Sequence, residues 1–147
     1  MIGLLQRVTA AEVRVDGKVV GQIGPGLLVL VGVQPADTAD LGQQLLTKIL
    51  KYRVFEDEAG KMNLSLQQIA GGLLLVPQFT LAADTRHGLR PGFSTAAAPE
   101  LGRRLFEELL LAAQAQHTQV QSGQFGANMQ VSLTNSGPAT FWLETGP

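Results

Sequence analysis

Leu73-Leu74-Leu75-Val76-Pro77-Gln78-Phe79-Thr80-Leu81 is an apolar run that stops at a proline and passes straight into hydrogen-bonding residues. A short apolar run admitted by turn residues, here Gly71-Gly72, reads as a strand buried on both faces. Such a strand fixes the backbone while its end stays open to a ligand, a common way to place chemistry. Pro77 has no N–H and a fixed φ, so the ladder is expected to break there, at a bulge, an edge or a strand end. The N–H groups of Phe79 and Thr80 then become available to something other than a neighbouring strand. A strand that merely leaves the core through a polar residue would look the same, so the surrounding chain has to decide.

Upstream, Leu27 to Val33 is a second continuous apolar run, suited to a central strand, and it follows Gly24-Pro25-Gly26. Those glycines open a strand rather than a helix and lack the spacing of a phosphate-binding loop. Ile2 to Val8 reads as an opening strand, and Glu12 to Val20 as two short segments around the hairpin signal Asp16-Gly17. Asp37 is placed to cap a helix in which Leu41, Leu45, Ile49 and Leu50 share a face out to about Arg53. Val54-Phe55 is extended, Asp57 to Lys61 is a solvated turn, and Met62, Leu64 and Leu66 alternate as an extended edge.

Downstream, Ala82 to Thr95 is polar and holds the one local basic cluster, Arg86, His87 and Arg90, diluted by Asp84. It is either a solvated loop or a contact for a phosphate near the end of the preceding strand. Pro99 fits the first turn of a second helix with Leu101, Leu105, Phe106, Leu109 and Leu110 along one stripe. Strands follow at Thr118–Ser122, Met129–Leu133 and Ala139–Glu144, with Asn135-Ser136-Gly137-Pro138 as a turn between the last two. The pattern predicts an α+β fold: one domain spanning residues 1–147, with a mainly antiparallel, barrel-like sheet and two packed helices.

Composition bounds the chemistry. A chain of 147 residues, 45% hydrophobic, is large enough to bury one core and gives no sign of two. Without cysteine there are no disulfides, thiolate nucleophiles or thiolate-ligated metals. No apolar stretch approaches the roughly 20 residues of a membrane span, and no basic region with an apolar core opens the chain. A soluble, cytoplasmic protein without membrane contact is expected. The net charge of −1 argues against DNA or a long nucleic-acid backbone as partner, so any RNA contact should be confined to an end.

No catalytic constellation of familiar type is present. His87 and His117 are the only histidines, the second at the polar end of a helix, where capping or solvent accounts for it. Neither metal-ligand spacing nor a nucleophile elbow appears, so no metal or other cofactor is expected. An enzyme built this way would have to work with backbone dipoles, hydroxyls and groups of its substrate.

Three motifs carry a resemblance. Pro77-Gln78-Phe79-Thr80-Leu81-Ala82-Ala83-Asp84, Gly88-Leu89-Arg90-Pro91-Gly92-Phe93-Ser94 and Asn135-Ser136-Gly137-Pro138-Ala139-Thr140-Phe141-Trp142 together resemble the D-aminoacyl-tRNA deacylases. The likeness extends from Gln6-Arg7-Val8 through Gly60-Lys61-Met62-Asn63 to Gly126-Ala127-Asn128-Met129-Gln130, and therefore over the whole chain.

The resemblance implies a homodimeric hydrolase that cleaves the ester between a D-amino acid and the terminal ribose of tRNA, glycyl-tRNA included. It implies that Gln78, Phe79 and Thr80 line the catalytic pocket and that Met129 lies in a pocket segment. Gly137-Pro138 is expected to be cis and to reach into the partner subunit's pocket to reject L side chains, with Arg7 holding it in orientation. In this family the N–H of Thr80, helped by Phe79, would serve the oxyanion, and the ribose 2′-hydroxyl would assist the water. Other readings are a non-catalytic dimeric module that binds RNA ends and a hydrolase of other aminoacyl or peptidyl esters of tRNA. One departure stands out: family members commonly have Ser where this chain has Pro77, which removes any role for a hydroxyl at that position.

Overall fold

Strand β1, Ile2–Val15, is the spine of the computed structural model, which describes residues 1–146. It runs unbroken where the sequence suggested separate segments, and Asp16 and Gly17, at φ 50° and 77°, turn it into β2, Lys18–Ile23. Two successive positive φ values are what a two-residue hairpin needs to follow the strand twist. One edge of β1 pairs with β3, Gly26–Gly32, along Ile2–Val8 and with β2 along Ala11–Val15. Its other edge pairs with β8, Gln130–Glu144, over most of its length.

These pairings are antiparallel, but β3 pairs parallel with β6, Gly72–Pro77, and β6 parallel with β7, Val120–Ser122. The sheet is therefore mixed: the three ladders of β1 make it mainly antiparallel, as expected, and two parallel pairings are added. Helix α1, Ala39–Lys51, lies between β3 and β6, and α3, Pro99–Gln116, between β6 and β7. Each helical crossover returns the chain to the end of the sheet from which it left, so the next strand must run parallel. The sheet curls until β2 meets β7: a Cβ at Gly21 would stand 2.5 Å from the Ser122 carbonyl oxygen. Only glycine lets the two edges come this close, and the result is a nearly closed barrel.

Three helices are present rather than two. Between the ribbon of β4, Phe55–Glu56, and β5, Met62–Leu64, and strand β6 sits a single turn, α2, Leu66–Ile69. Ser65 Oγ accepts from the Gln68 N–H at 3.2 Å while Gln68 Oε1 accepts from the Ser65 N–H at 2.8 Å, a reciprocal cap that ends the alternation at Leu66. Asp37 does not cap α1. Thr38 Oγ1 does, accepting from Leu41 N–H at 3.3 Å, and the nearly buried Asp37 instead binds the Met1 amino group at 2.7 Å.

Strands β3 and β6 are buried on both faces, as their unbroken apolar runs required. Leu27, Val29, Leu73 and Leu75 pack with Leu45, Ile49, Leu105 and Phe106 of the helices, whereas Leu28, Leu74 and Val76 turn inward toward Val8, Val13 and Ile23. Each such side chain contributes about 1.5–3 kcal/mol by leaving water. The C-terminal ends of β3 and β6 are consequently anchored from two sides. Among the described residues no helix is long and apolar enough to cross a membrane.

Candidate active site

At the end of β6 the ladder continues one residue past Pro77 instead of breaking there: Gln78 N–H donates to Val31 O at 2.8 Å. Successive N–H groups of a strand alternate sides. Position 77 therefore faces the β7 edge, where pairing has already stopped at Leu75 with Ser122. Proline leaves no hydrogen bond unmade at that point.

Beyond Gln78 the chain tightens into a 3-10 turn, Phe79–Ala82, closed by Leu81 N–H to Gln78 O and Ala83 N–H to Thr80 O, both at 3.2 Å. The opening N–H groups of a helical turn have no partner within it. Among the described residues those of Phe79 and Thr80 donate to no backbone acceptor outside it. Gln78 Nε2 donates to the Thr80 hydroxyl oxygen, which leaves that hydroxyl its own proton to give.

This strand end opens on a cleft of about 410 Å³. Of the residues singled out from sequence, Gln78, Phe79 and Met129 line it; Thr80 does not, and its hydroxyl is bonded to Gln78. The remaining wall is largely apolar and includes Val76, Phe106 from α3 and Phe125. Arg103 lays its guanidinium over the Phe125 ring at 5.0 Å, fixing that ring from the solvent side. A shallower trough of about 510 Å³ beside Lys48, Lys51 and Glu144 holds none of the predicted site residues.

Arg7, Gly137 and Pro138 form a different structure. The expected turn at residues 135–138 does not reverse the chain. It is a bulge within continuous β8, in which Ser136 to Ala139 stand opposite Arg7 alone, between the pairs Val8 with Asn135 and Gln6 with Thr140. Arg7 Nε donates to Ser136 O at 2.9 Å and Nη1 to Val54 O at 2.8 Å. Asn135 Oδ1 accepts from Ala139 N–H at 2.7 Å and Nδ2 donates to Thr140 Oγ1 at 2.8 Å, closing the bulge at its base. The Gly137-Pro138 bond is cis and both residues are exposed. Gly137 has φ 131°, and a Cβ on it would come within 2.7 Å of Arg7 Nη2, so any other residue there is strained and displaces the Arg7 side chain.

Cleft and bulge are not brought together within one chain. The cleft lies at the Val31 end of β3, while Arg7 pairs with Leu27, a strand distance of roughly 13 Å away. Neither histidine lines the cleft: His87 is exposed beside Asp84, and His117 is buried with Nε2 donating to Gly71 O at 2.6 Å. Among the described residues no group of three or more His, Asp or Glu is placed to hold a metal ion. Sequence reasoning read Phe106 only as helix packing and gave no role to Phe125 or the clamp made by Asn135. The signal for Asn135 was available, since Asn four residues before a backbone donor across a Gly-Pro pair is a local hydrogen-bonding pattern.

Comparison with known proteins bears on the family and the fold. Residues 4–144 match a family model described as D-Tyr-tRNA(Tyr) deacylase. A D-aminoacyl-tRNA deacylase of Thioalkalivibrio sulfidiphilus is 63% identical over 147 residues, covering 100% of this chain and 99% of the relative. Another from Pseudomonas putida is 63% identical over 144 residues, covering 98% and 99%. Of solved structures, one described as c-Myc DNA Unwinding Element Binding Protein has a TM-score of 0.95 at 36% identity over 100% of both chains. A probable eukaryotic D-amino acid tRNA deacylase has a TM-score of 0.84 over 97% of this chain and 98% of its own, at 17% identity, which bears on the fold alone. The chain belongs to the D-Tyr-tRNA(Tyr) deacylase family of hydrolases.

Proposed function

We propose that this protein hydrolyses the ester joining a D-amino acid, or glycine, to the terminal ribose of tRNA, acting as a homodimer in the cytoplasm where translation takes place. The observation that carries the reading is the pair of successive N–H groups at Phe79 and Thr80, left unused by the fold, the first of them on a residue that lines an apolar cleft. Water attacks the ester carbonyl carbon, and its oxygen becomes the tetrahedral oxyanion that those N–H groups receive. One preorganised donor at such an oxygen is worth about 2.7–4 kcal/mol. Collapse breaks the bond to the ribose oxygen, which takes a proton relayed from the water by the neighbouring 2′-hydroxyl. No imidazole is required, in keeping with the positions of His87 and His117.

The cleft takes the terminal nucleoside, for which its size and apolar wall are suited. The amino-acid side chain points outward, and hand is tested by exclusion. Backbone carbonyls of a partner subunit's bulge stand where an L side chain would go, a wall that admits many D side chains and cannot reject glycine, which has none. The separation of cleft and bulge within one chain favours this arrangement, because an isolated protomer would lack a chiral wall beside its own donors. A duplex-DNA role, suggested by the name of one similar structure, is disfavoured by the net charge of −1.

The test compares release of amino acid from D- and L-aminoacyl forms of one tRNA by the purified protein. Fast turnover of several D forms and of glycine, with L forms left intact, is expected. Equal rates for the two hands would remove the exclusion mechanism. Binding of the tRNA end with no turnover of either would leave an RNA-end binding module.

A further inference from the structure

The chain just beyond the 3-10 turn has no part in the chemistry above, yet it is carefully ordered. Asp84 and Gly92 pair as an antiparallel bridge through backbone bonds of 2.8 and 3.0 Å, and the residues between them project to a tip at Gly88, φ 67°. Asp84 shapes the hairpin from inside: Oδ1 accepts from the Arg86 N–H at 2.9 Å, and Oδ2 lies 2.8 Å from His87 Nδ1. Those bonds, the Arg86 N–H first and His87 second, hold the Asp84 carboxyl below the usual aspartate range.

What this frame presents to solvent is Arg86, His87, Leu89 and Arg90. The side chains of Arg86 and His87 are 82% and 81% exposed, and Leu89 is fully so. The fold makes little use of the two arginine side chains. Arg86 reaches only to 3.8 Å of Asp84, and among the described residues Arg90 makes no salt bridge. The base of the hairpin, by contrast, is tied to the site. Thr95 Oγ1 donates to Ala82 O at 2.6 Å, and the Phe93 ring packs against Phe79 with centroids 5.2 Å apart.

We infer that the Asp84–Gly92 hairpin grips the phosphates of the RNA strand adjoining the scissile ester, through Arg86 and Arg90. This rests on the D-aminoacyl-tRNA reading of the cleft. A chain of net charge −1 cannot hold a nucleic acid across a broad face, so affinity has to come from a few contacts close to the reacting end. The hairpin supplies them in the right place, since its cations outweigh Asp84 and its base adjoins the oxyanion donors. Its tip lies four residues from its base, so it reaches at most about 13 Å, enough for the nucleotides immediately before the terminal one. Contacts of this kind position the strand without reading its bases, as suits an enzyme that must accept many tRNAs.

The test uses the full-length protein and an Arg86→Ala/Arg90→Ala variant; among the described residues the one ion pair it removes is the exposed 3.8 Å approach of Arg86 to Asp84, so the melting temperature should be nearly unchanged. Binding of a short fluorescein-labelled single-stranded oligoribonucleotide ending in adenosine is followed by anisotropy across a salt series. The variant should bind roughly tenfold more weakly, with a salt slope shallower by about 1.4, the share of two single-strand phosphate contacts. The ratio of kcat/KM for D-aminoacyl-tRNA to that for the matching D-aminoacyl adenosine should fall by about the same factor, through KM. An Arg90→Glu variant should deepen both effects. An unchanged salt slope, or an equal loss on the phosphate-free ester, overturns the inference. Because the binding measurement needs no turnover, a protein that cleaves no ester fails the proposed activity while the slope still judges the hairpin.

Discussion

The cleft at the end of β6 and the bulge in β8 both work with main chain, but they are held in opposite ways. At the cleft, donors are what remains when a buried strand ends and a 3-10 turn begins. Two apolar layers immobilise β3 and β6, and no side chain needs to aim the Phe79 and Thr80 N–H groups. At the bulge, exposed carbonyls would wander without help. There Arg7 bonds to Ser136 O and Val54 O, and Asn135 spans from Ala139 N–H to Thr140 Oγ1. Donors are given by strand termination, whereas acceptors on an exposed loop have to be clamped, so the two regions should respond differently to substitution.

The sharpest way to break the contrast is to remove a donor without disturbing the frame. Phe79 is the first residue of its turn, and Gln78 before it, at φ −142° and ψ 80°, is outside the α region that a following proline disfavours. Phe79→Pro deletes the N–H, and Phe79→Ala controls for loss of the ring. Single-turnover rates should fall about 10²- to 10³-fold further in the proline variant than in the alanine one. Equal rates would assign the oxyanion to Thr80 N–H alone.

Next in size is the bulge itself. In Gly137→Ala the new methyl meets Arg7 Nη2 and the residue is held at a φ that alanine resists, so the carbonyls must shift. A displacement near 1 Å should cost about 10- to 100-fold in D-ester turnover. The decisive measurement mixes Gly137→Ala with Phe79→Pro and lets subunits exchange. If a two-fold dimer builds each site from one chain's cleft and the other's bulge, mixed dimers carry one intact site. Activity should then recover to about a quarter of the wild-type value. No recovery would place cleft and bulge in the service of separate functions.

Much of this was visible in the sequence, and unevenly. Leu73 to Val76 and Leu27 to Val33 announced two strands buried on both faces, because such runs are too short for a buried helix and each is opened by glycine-rich turn residues. Their parallel pairing was implicit too, in the strand–helix–strand alternation, within a sheet that is otherwise antiparallel as expected. Pro77 misled for a different reason. Whether a missing N–H matters depends on which edge it faces, and that is fixed by where β7 stops, not by residues nearby. The turn expected at Asn135–Pro138 became a bulge because β1 runs past it and pairs on both sides, a partnership far apart in sequence. Gln78, Phe79 and Met129 do share a cleft; its further wall at Phe106 and Phe125 comes from segments that only the folded chain brings together.

The smallest expected effects concern the two side chains that invite a catalytic role. The Thr80 hydroxyl accepts from Gln78 Nε2, so it is oriented to donate and is poorly placed to act as a base. Thr80→Ala keeps the N–H, and its turnover should stay within about tenfold of wild type, less than one oxyanion donor is worth. Pro77→Ser restores the residue common at this position in the family, but on an edge where no strand is left to receive its N–H. Its main consequence should be a loss of about 0.4–1 kcal/mol of stability in denaturant titrations, from a freer unfolded chain. Deacylation should change little, since the donors lie beyond Gln78, whose own bond to Val31 O is independent of residue 77. A many-fold gain in rate would mean that a hydroxyl beside the cleft can do part of the water activation assigned to the ribose, and that proline at this position sacrifices speed for rigidity.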